Sequence, residues 1–334
     1  MKLRYYVAVR LLLIIPTMLI ILSTVFFLMH VLPGDPVRML YGDKVPEEFV
    51  QQVRHQWGLD KPISEQFVNY MIKVASGNLG VSLVYKIDVL DKIKQCYPTT
   101  LELAIGGILL SVIVGIPLGI ISSINKDGKI DNLIKIITLY LYSNPTFWLA
   151  LLCQLYLGVM LGILPILGRS PTAILHNITG MPVLDALLAL DFRAFTENFR
   201  FMILPWFVTA MGLVPRLVRM TRAAMLNVLG EDYITTARAK GLTENIVFFR
   251  HALRNAILPI VTIVGTSFAF LMGGTVITEQ IFALPGIGRL LFDSLSNRDF
   301  EMIQGIVIVF SIIIIFVNTF TDVTYAIADP RVEY

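Results

Sequence analysis

The chain is 334 residues long, 56% apolar and only 15% charged, with a mean hydropathy of +0.73. Soluble domains carry roughly a quarter charged residues, so this composition excludes a disordered chain, a coiled coil and an ordinary soluble enzyme, and describes one multi-span membrane unit. The net charge of +3 is too small to point to a nucleic-acid partner; in a membrane chain the placement of the cations matters more than their sum.

A bilayer core about 30 Å thick needs around 20 apolar residues in a helix. The stretches 9–31, 100–124, 133–161, 201–220, 256–277 and 303–326 meet that need and predict an all-α protein with six membrane spans. The first follows a basic head of Lys2, Arg4 and Arg10. It is too long for a signal peptide and no small-x-small cleavage site follows, so it reads as an uncleaved anchor. Residues 32–99 then form a separate outer segment. Pro46, Glu47 and Glu48 open a helix there, because proline suits a first turn and acids suit its positive end. Phe49, Val50, Val53 and Trp57 share one face, and Gly58 ends it. A second helix starts near Pro62, with Ile63, Phe67, Tyr70, Met71 and Val74 on one face and Gly77 as its stop. A third covers 89–95. This small helical cap either covers the span ends or docks a partner.

With the N-terminus placed inside the cell, the inner segments collect Lys126, Lys129, Lys135, Arg216, Arg219, Arg222, Arg238, Lys240, Arg250, Arg254 and Arg331. The two short outer loops hold only Arg169, Arg193, Arg200, Arg289 and Arg298. This asymmetry predicts that both termini are cytoplasmic. Pro16, Pro117, Pro145 and Pro215 each remove a backbone donor and are expected to kink or loosen their spans. Asn144-Pro145 sits midway along the third span, which suits a helix lining a cavity and equally a packed structural kink. Gly273-Gly274 in the fifth allows close helix contact or bending.

The residues for familiar chemistry are missing. No GxxxxGK[ST] phosphate loop, HExxH, GxSxG or SxxK motif occurs. Cys96 and Cys153 are too few for a disulfide framework, and His30, His55, His176 and His251 have no metal-ligand spacing. Glu102 and Asp322 lie near span ends, where a charge costs less than in mid-span, and a proton relay is not expected. Asn177-Ile178-Thr179 matches a glycosylation acceptor by chance composition alone.

The most informative stretch lies between the fourth and fifth spans. Arg216, Arg219 and Arg222, three apart, read as inner-leaflet anchors. Glu231 and Asp232 start a short helix carrying Ile234 and Ala237 on one face, and Gly241 breaks it. Thr243 can cap the next helix, with Glu244 at its positive end. That helix places Ile246, Phe249, Leu253 and Ile257 on one face and runs into Pro259. Two short helices meeting at a glycine suit a groove on another protein or, alternatively, the membrane surface.

These residues carry a resemblance. Tyr233 to Asn255, followed by Pro259, resembles the EAA loop of ABC importer permeases of the peptide/nickel class. The likeness extends along the chain through Leu32-Pro33-Gly34-Asp35-Pro36, Gly58-Leu59-Asp60-Lys61-Pro62, Gly77-Asn78-Leu79-Gly80-Val81-Ser82 and Pro98-Thr99-Thr100-Leu101-Glu102-Leu103. It continues through Glu279, Phe282, Pro285-Gly286-Ile287-Gly288, Arg298-Asp299 and Asp329-Pro330-Arg331. Thr235-Thr236-Ala237 departs from the Glu-Ala-Ala of general ABC importers, and Pro259 lies farther from Gly241 than their pattern places it.

The resemblance implies a type I importer permease fold. Residues 1–31 would be the first span, 32–99 the outer segment, 100–326 a five-helix core with a coupling loop at 222–255, and 327–334 a cytoplasmic tail. It implies the first of two permease subunits in a bacterial plasma-membrane importer of oligopeptides or dipeptides, or else of nickel or another metal chelate. The implied partners are a paralogous permease, two ABC ATPase subunits, an extracytoplasmic binding protein, the peptide and membrane lipids. ATP and Mg would sit on the ATPases, and this chain would bind no cofactor or metal. Thr236, Ala237, Arg238, Ala239, Lys240, Gly241, Leu242, Thr243 and Glu244 are the expected ATPase contacts. Asn144, Pro145, Gly273, Gly274 and Glu279 are the candidate lining of the translocation path. The rival readings are a self-sufficient channel or secondary transporter, which calls for mid-span charges, and a membrane-embedded enzyme, which calls for a reactive cluster.

Overall fold

The computed structural model describes residues 3–31, 36–42, 44–82, 84–171 and 178–328. The motif residues Pro33, Gly34 and Asp35, the potential acceptor Asn177, the ending Asp329-Pro330-Arg331 and the Asp322 side chain lie outside the described residues. Within them the chain is helical, and its one extended pairing is an isolated bridge between Val81 and Asp88.

The first helix, α1 (Leu3–Val31), contains the first expected span. The outer cap follows as α2 (Pro36–Tyr41), α3 (Glu47–Trp57) and α4 (Ile63–Ala75). Gly58 ends α3 at φ +69°, as its position implies, and Val50 and Val53 are the buried face. The cap is anchored on α1 by Phe26, whose ring centroid lies 5.2 Å from Phe67 and 5.4 Å from Tyr70.

The third cap helix does not exist as a separate element. Residues 89–95 are the start of α5 (Val89–Ile124), 36 residues long and capped by Asp88, whose side chain accepts from the amides of Leu90 and Asp91. Val89, Ile93, Cys96 and Thr100 are all buried. That stripe keeps helical spacing across Pro98, so tertiary burial carries the helix through one missing hydrogen bond.

The third span is broken. Helix α6 (Lys129–Ser143) and helix α7 (Thr146–Cys153), which continues as a π-helical turn over Gln154–Met160, meet at an angle of 101°. Asn144 is extended at ψ 136°, as the residue before a proline prefers. Its side-chain amide donates to the Tyr140 carbonyl at 2.6 Å, which closes the end of α6. By contrast, helices run through Pro16, Pro98, Pro117, Pro205, Pro215 and Pro259. Pro117 and Pro215 therefore leave their helices continuous, and packing against neighbours holds those helices together.

After α8 (Pro182–Leu188) comes the central helix α9 (Phe192–Leu229), 38 residues long. It extends well past the expected 201–220, so Arg222 lies in a helix and not in a loop. Then follow α10 (Asp232–Ala239), a π-helical turn Ile246–Ala252 leading into α11 (Leu253–Met272), α12 (Val276–Ile281), α13 (Ile287–Ser296) and α14 (Phe300–Ala328). By length and apolarity α5, α9, 246–272 and α14 can each cross a membrane, and the bent α6–α7 pair is a fifth candidate.

The core is the α5–α9 seam. Gly106, Gly107, Gly115 and Gly119 of α5 face Trp206, Thr209, Leu217 and Thr221 of α9, and small residues let the two backbones approach closely. A Cβ added at Gly106 would lie 2.1 Å from the Trp206 ring. That ring is fastened by its Nε1–H, which donates to the Glu102 carbonyl at 2.9 Å. Gly106→Ala is expected to destabilise the chain by about 2 kcal/mol, the usual cost of overpacking, read as a lowered thermal unfolding midpoint in detergent.

Candidate functional site

The stretch 231–256 forms an elbow at one end of the bundle. Ile234 and Ala237, three apart on α10, turn inward and pack with Ile120, Met225, Val247, Ala252 and Ala256. After Lys240 the chain reverses at Gly241, φ +80°, with the Gly241 amide donating to the Arg238 carbonyl at 2.9 Å and Leu242 to Ala237 at 3.3 Å. This is a glycine C-terminal cap, which an L side chain enters only with strain. The next helix restarts on Thr243, whose carbonyl accepts from Ile246 and Val247 at 2.9 and 3.1 Å.

Two polar links stiffen the elbow. The Arg238 guanidinium grips the Glu244 carboxylate with bonds of 2.9 and 3.2 Å across Gly241, and the Asn255 side chain donates to the Tyr233 hydroxyl at 2.6 Å.

Of the expected contact residues, Thr236, Arg238, Ala239, Lys240, Gly241, Leu242, Thr243 and Glu244 are exposed on the outer side of the elbow. Ala237 is the exception: it is 7% exposed and belongs to the chain's own core, because the same helical face cannot serve both. The following helix is also rotated from expectation. Its buried positions are Val247, Ala252, Ala256 and Ile260, since the π-helical turn inserts an extra residue and shifts the face. Ile246 and Phe249 are thereby left exposed, together with Tyr233 and Leu242.

A charge cluster braces this end of the bundle. Asp131 of α6 is fully buried. Its Oδ1 accepts from Arg222 Nε at 2.9 Å and from the Ser122 hydroxyl, and its Oδ2 from Arg222 Nη2 at 2.8 Å and the Asp127 amide at 2.9 Å. Lys135 Nζ completes it at 2.8 Å. One carboxylate thus ties α5, α6 and α9 directly beneath the elbow. Sequence reading missed it; the available signal was an acid four residues before Lys135, an ion-pair spacing.

At the opposite end the short motifs meet. Glu279 of α12 is fully buried and accepts from Thr100 Oγ1 at 2.8 Å and the Arg289 amide at 2.9 Å. Burial pushes its carboxyl above the usual glutamate range. A Cβ at Gly286 would lie 2.3 Å from its Cδ, so the glycines of Pro285-Gly286-Ile287-Gly288 make room for the carboxylate. Ser82 donates to Asp299, which joins the outer segment to the start of α14. Glu102 accepts from the Val183 amide at 2.7 Å, with Arg169 Nη2 3.6 Å away.

The candidate path residues therefore divide. Glu279 is a fastener inside the chain, closed to solvent. Gly273 and Gly274 end α11, and Gly274 at φ +98° lets Gly288 approach, a Cβ there standing 3.1 Å from Gly288 Cα. Asn144 and Pro145, at the bend, are half-buried and exposed.

Residues 115–334 match the model of the binding-protein-dependent transport system inner membrane component family, and residues 3–104 match its N-terminal companion. The di/tripeptide transport system permease of Pseudomonas aeruginosa is 38% identical over 335 residues, covering 98% of each chain. The dipeptide transport system permease of Escherichia coli K12 is 37% identical over 332 residues, covering 97% of each. The glutathione transport system permease of E. coli K12 is 36% identical over 329 residues, covering 98% of this chain and 99% of its own. Among solved structures, the MetNI methionine ABC transporter in an inward-facing conformation aligns with a TM-score of 0.51 at 15% identity, over 72% of this chain and 97% of its own, a likeness of fold. Matched along nearly its full length by relatives of this one kind, the chain belongs to the family of inner membrane components of binding-protein-dependent transport systems and has the type I ABC importer permease fold.

Proposed function

We propose that this chain is one of two permease subunits of an ATP-driven importer of short peptides. The observation that carries the reading is the elbow at Gly241, a stiffened element with an exposed face on a chain that has no phosphate-binding loop of its own. The elbow faces the cytoplasm and docks on an ATPase subunit. A paralogous permease supplies the other half of the path, and a binding protein delivers peptide at the opposite end, beside the cap of α2, α3 and α4. ATP and Mg sit on the ATPases. Closing of the ATPases around ATP favours one orientation of the spans over the other, since a ligand shifts a two-state equilibrium only by binding one state more tightly.

The peptide class is supported by the names of the relatives, which specify di/tripeptides, dipeptides and glutathione. The test is purification of the tagged chain after co-expression with its genomic neighbours, followed by uptake into proteoliposomes. ATPase subunits co-purify, and labelled dialanine accumulates only with ATP on the elbow side. Uptake of a nickel chelate in place of dialanine would replace the substrate class. Conduction by the isolated chain would replace the importer reading.

A further inference from the structure

Arg216 and Arg219 lie within the apolar run of α9 and are exposed, whereas Val214, Leu217, Val218 and Thr221 around them are buried. With Gly212 and Ala223 they form one stripe at helical spacing. The stripe runs beside the broken span. A Cβ at Gly212 would stand 3.7 Å from Thr146 Oγ1, just after the bend, and the Arg219 guanidinium carbon lies 4.8 Å from the centroid of the Tyr142 ring, just before it. Among the described residues neither arginine is paired with an acid, unlike Arg222 one turn away, which Asp131 neutralises.

An unpaired guanidinium is costly against acyl chains, and charges in spans face bundle interiors or watery cavities. Helix α9 is also the most buried of the continuous spans, 61% of its apolar window against 28% to 44% for the others.

We propose that Arg216 and Arg219, the latter held by Tyr142, form a carboxylate-binding step in the translocation path that takes the C-terminal carboxylate of a peptide in transit. This rests on the peptide-permease reading. A guanidinium presents paired donors that match a carboxylate, and stacking on an aromatic ring orients it before the ligand arrives. The two arginines are three residues apart, about 4.5 Å along the axis, so a carboxylate can pass from one to the other.

The experiment uses the assembled transporter with its binding protein, in proteoliposomes supplied with labelled dialanine. Arg216→Gln and Arg219→Gln are each expected to lower the maximal uptake rate about tenfold, the worth of a charge-assisted hydrogen bond. The half-saturating concentration, set at the binding protein, and ATP hydrolysis without peptide stay near wild type. Arg216→Lys and Arg219→Lys recover much of the rate. Arg216→Cys reacts with a water-soluble, membrane-impermeant cationic thiol reagent and regains uptake as the positive charge returns. Full uptake by both glutamine variants, or equal loss in the lysine variants, overturns the inference and leaves the peptide-permease reading standing. A defect that appears only with anionic lipid present would assign the arginines to a lipid headgroup and overturn it too. Failure of the wild-type complex to transport any peptide would sink that reading, and this inference with it.

Discussion

A Gly241→Pro chain is expected to reach the membrane at the normal level and to support no peptide uptake above that of empty vesicles. Proline holds φ near −65°, whereas Gly241 sits at +80°. It also deletes the amide that bonds the Arg238 carbonyl at 2.9 Å. The local penalty, roughly 3 kcal/mol, is small against burial of the spans, so insertion survives. It is large for the elbow, whose angle is set by this turn and the Arg238–Glu244 grip. Gly241→Ala separates strain from crowding: nothing lies within 4 Å of the added Cβ, so only the left-handed backbone costs, about 1–2 kcal/mol, and uptake should fall partly. Uptake and peptide-stimulated ATP hydrolysis, read beside an immunoblot of membrane protein, decide the matter. Normal transport by the proline variant would end the docking role.

Asp131→Ala should give one of the largest losses of stability among single substitutions outside the apolar core. It strips a fully buried carboxylate, on which five donors converge, from Arg222 and Lys135 and leaves these two cations with only the exposed Asp127 carboxylate, 3.9 and 3.6 Å away. Breaking one side of a buried ion pair costs about 3 kcal/mol or more, mostly the penalty of the stranded partner. Removing that partner as well should recover part of the loss, so Asp131→Ala with Arg222→Met is expected to unfold at a higher temperature than Asp131→Ala alone. The thermal midpoint of the purified complex measures both. If the double variant is the less stable of the two, the cluster is not a charge brace.

The elbow was legible in the sequence because its signals are local. An acid at the start of a short helix, apolar residues three apart and a glycine at the end are each read within ten residues, and the structure places Ile234 and Gly241 accordingly. The next turn was not legible. Its π-helical register depends on what Val247 and Ala252 pack against, which is decided by helices distant in the chain. The prolines teach the same lesson. Pro117, Pro145 and Pro215 carry equal local cost, yet only Pro145 breaks its span, because Asn144 closes the preceding helix with its own side chain while the others are held by the α5–α9 seam.

The short motifs were visible as words without a grammar. Thr100 and Glu279 are 179 residues apart in the chain, and Ser82 and Asp299 are 217 apart. No periodicity links such positions; only folding brings the hydroxyl of one to the carboxylate of the other.

Composition and helical spacing were sufficient for an all-helical membrane chain, for the approximate position of each span and for the hinge at Gly241, because a span is a length of apolar residues and a hinge is a backbone preference. Which acids are braces, which arginines stay uncovered and where a helix breaks emerged only from three-dimensional packing, because burial and pairing of a charge depend on neighbours that lie far along the chain.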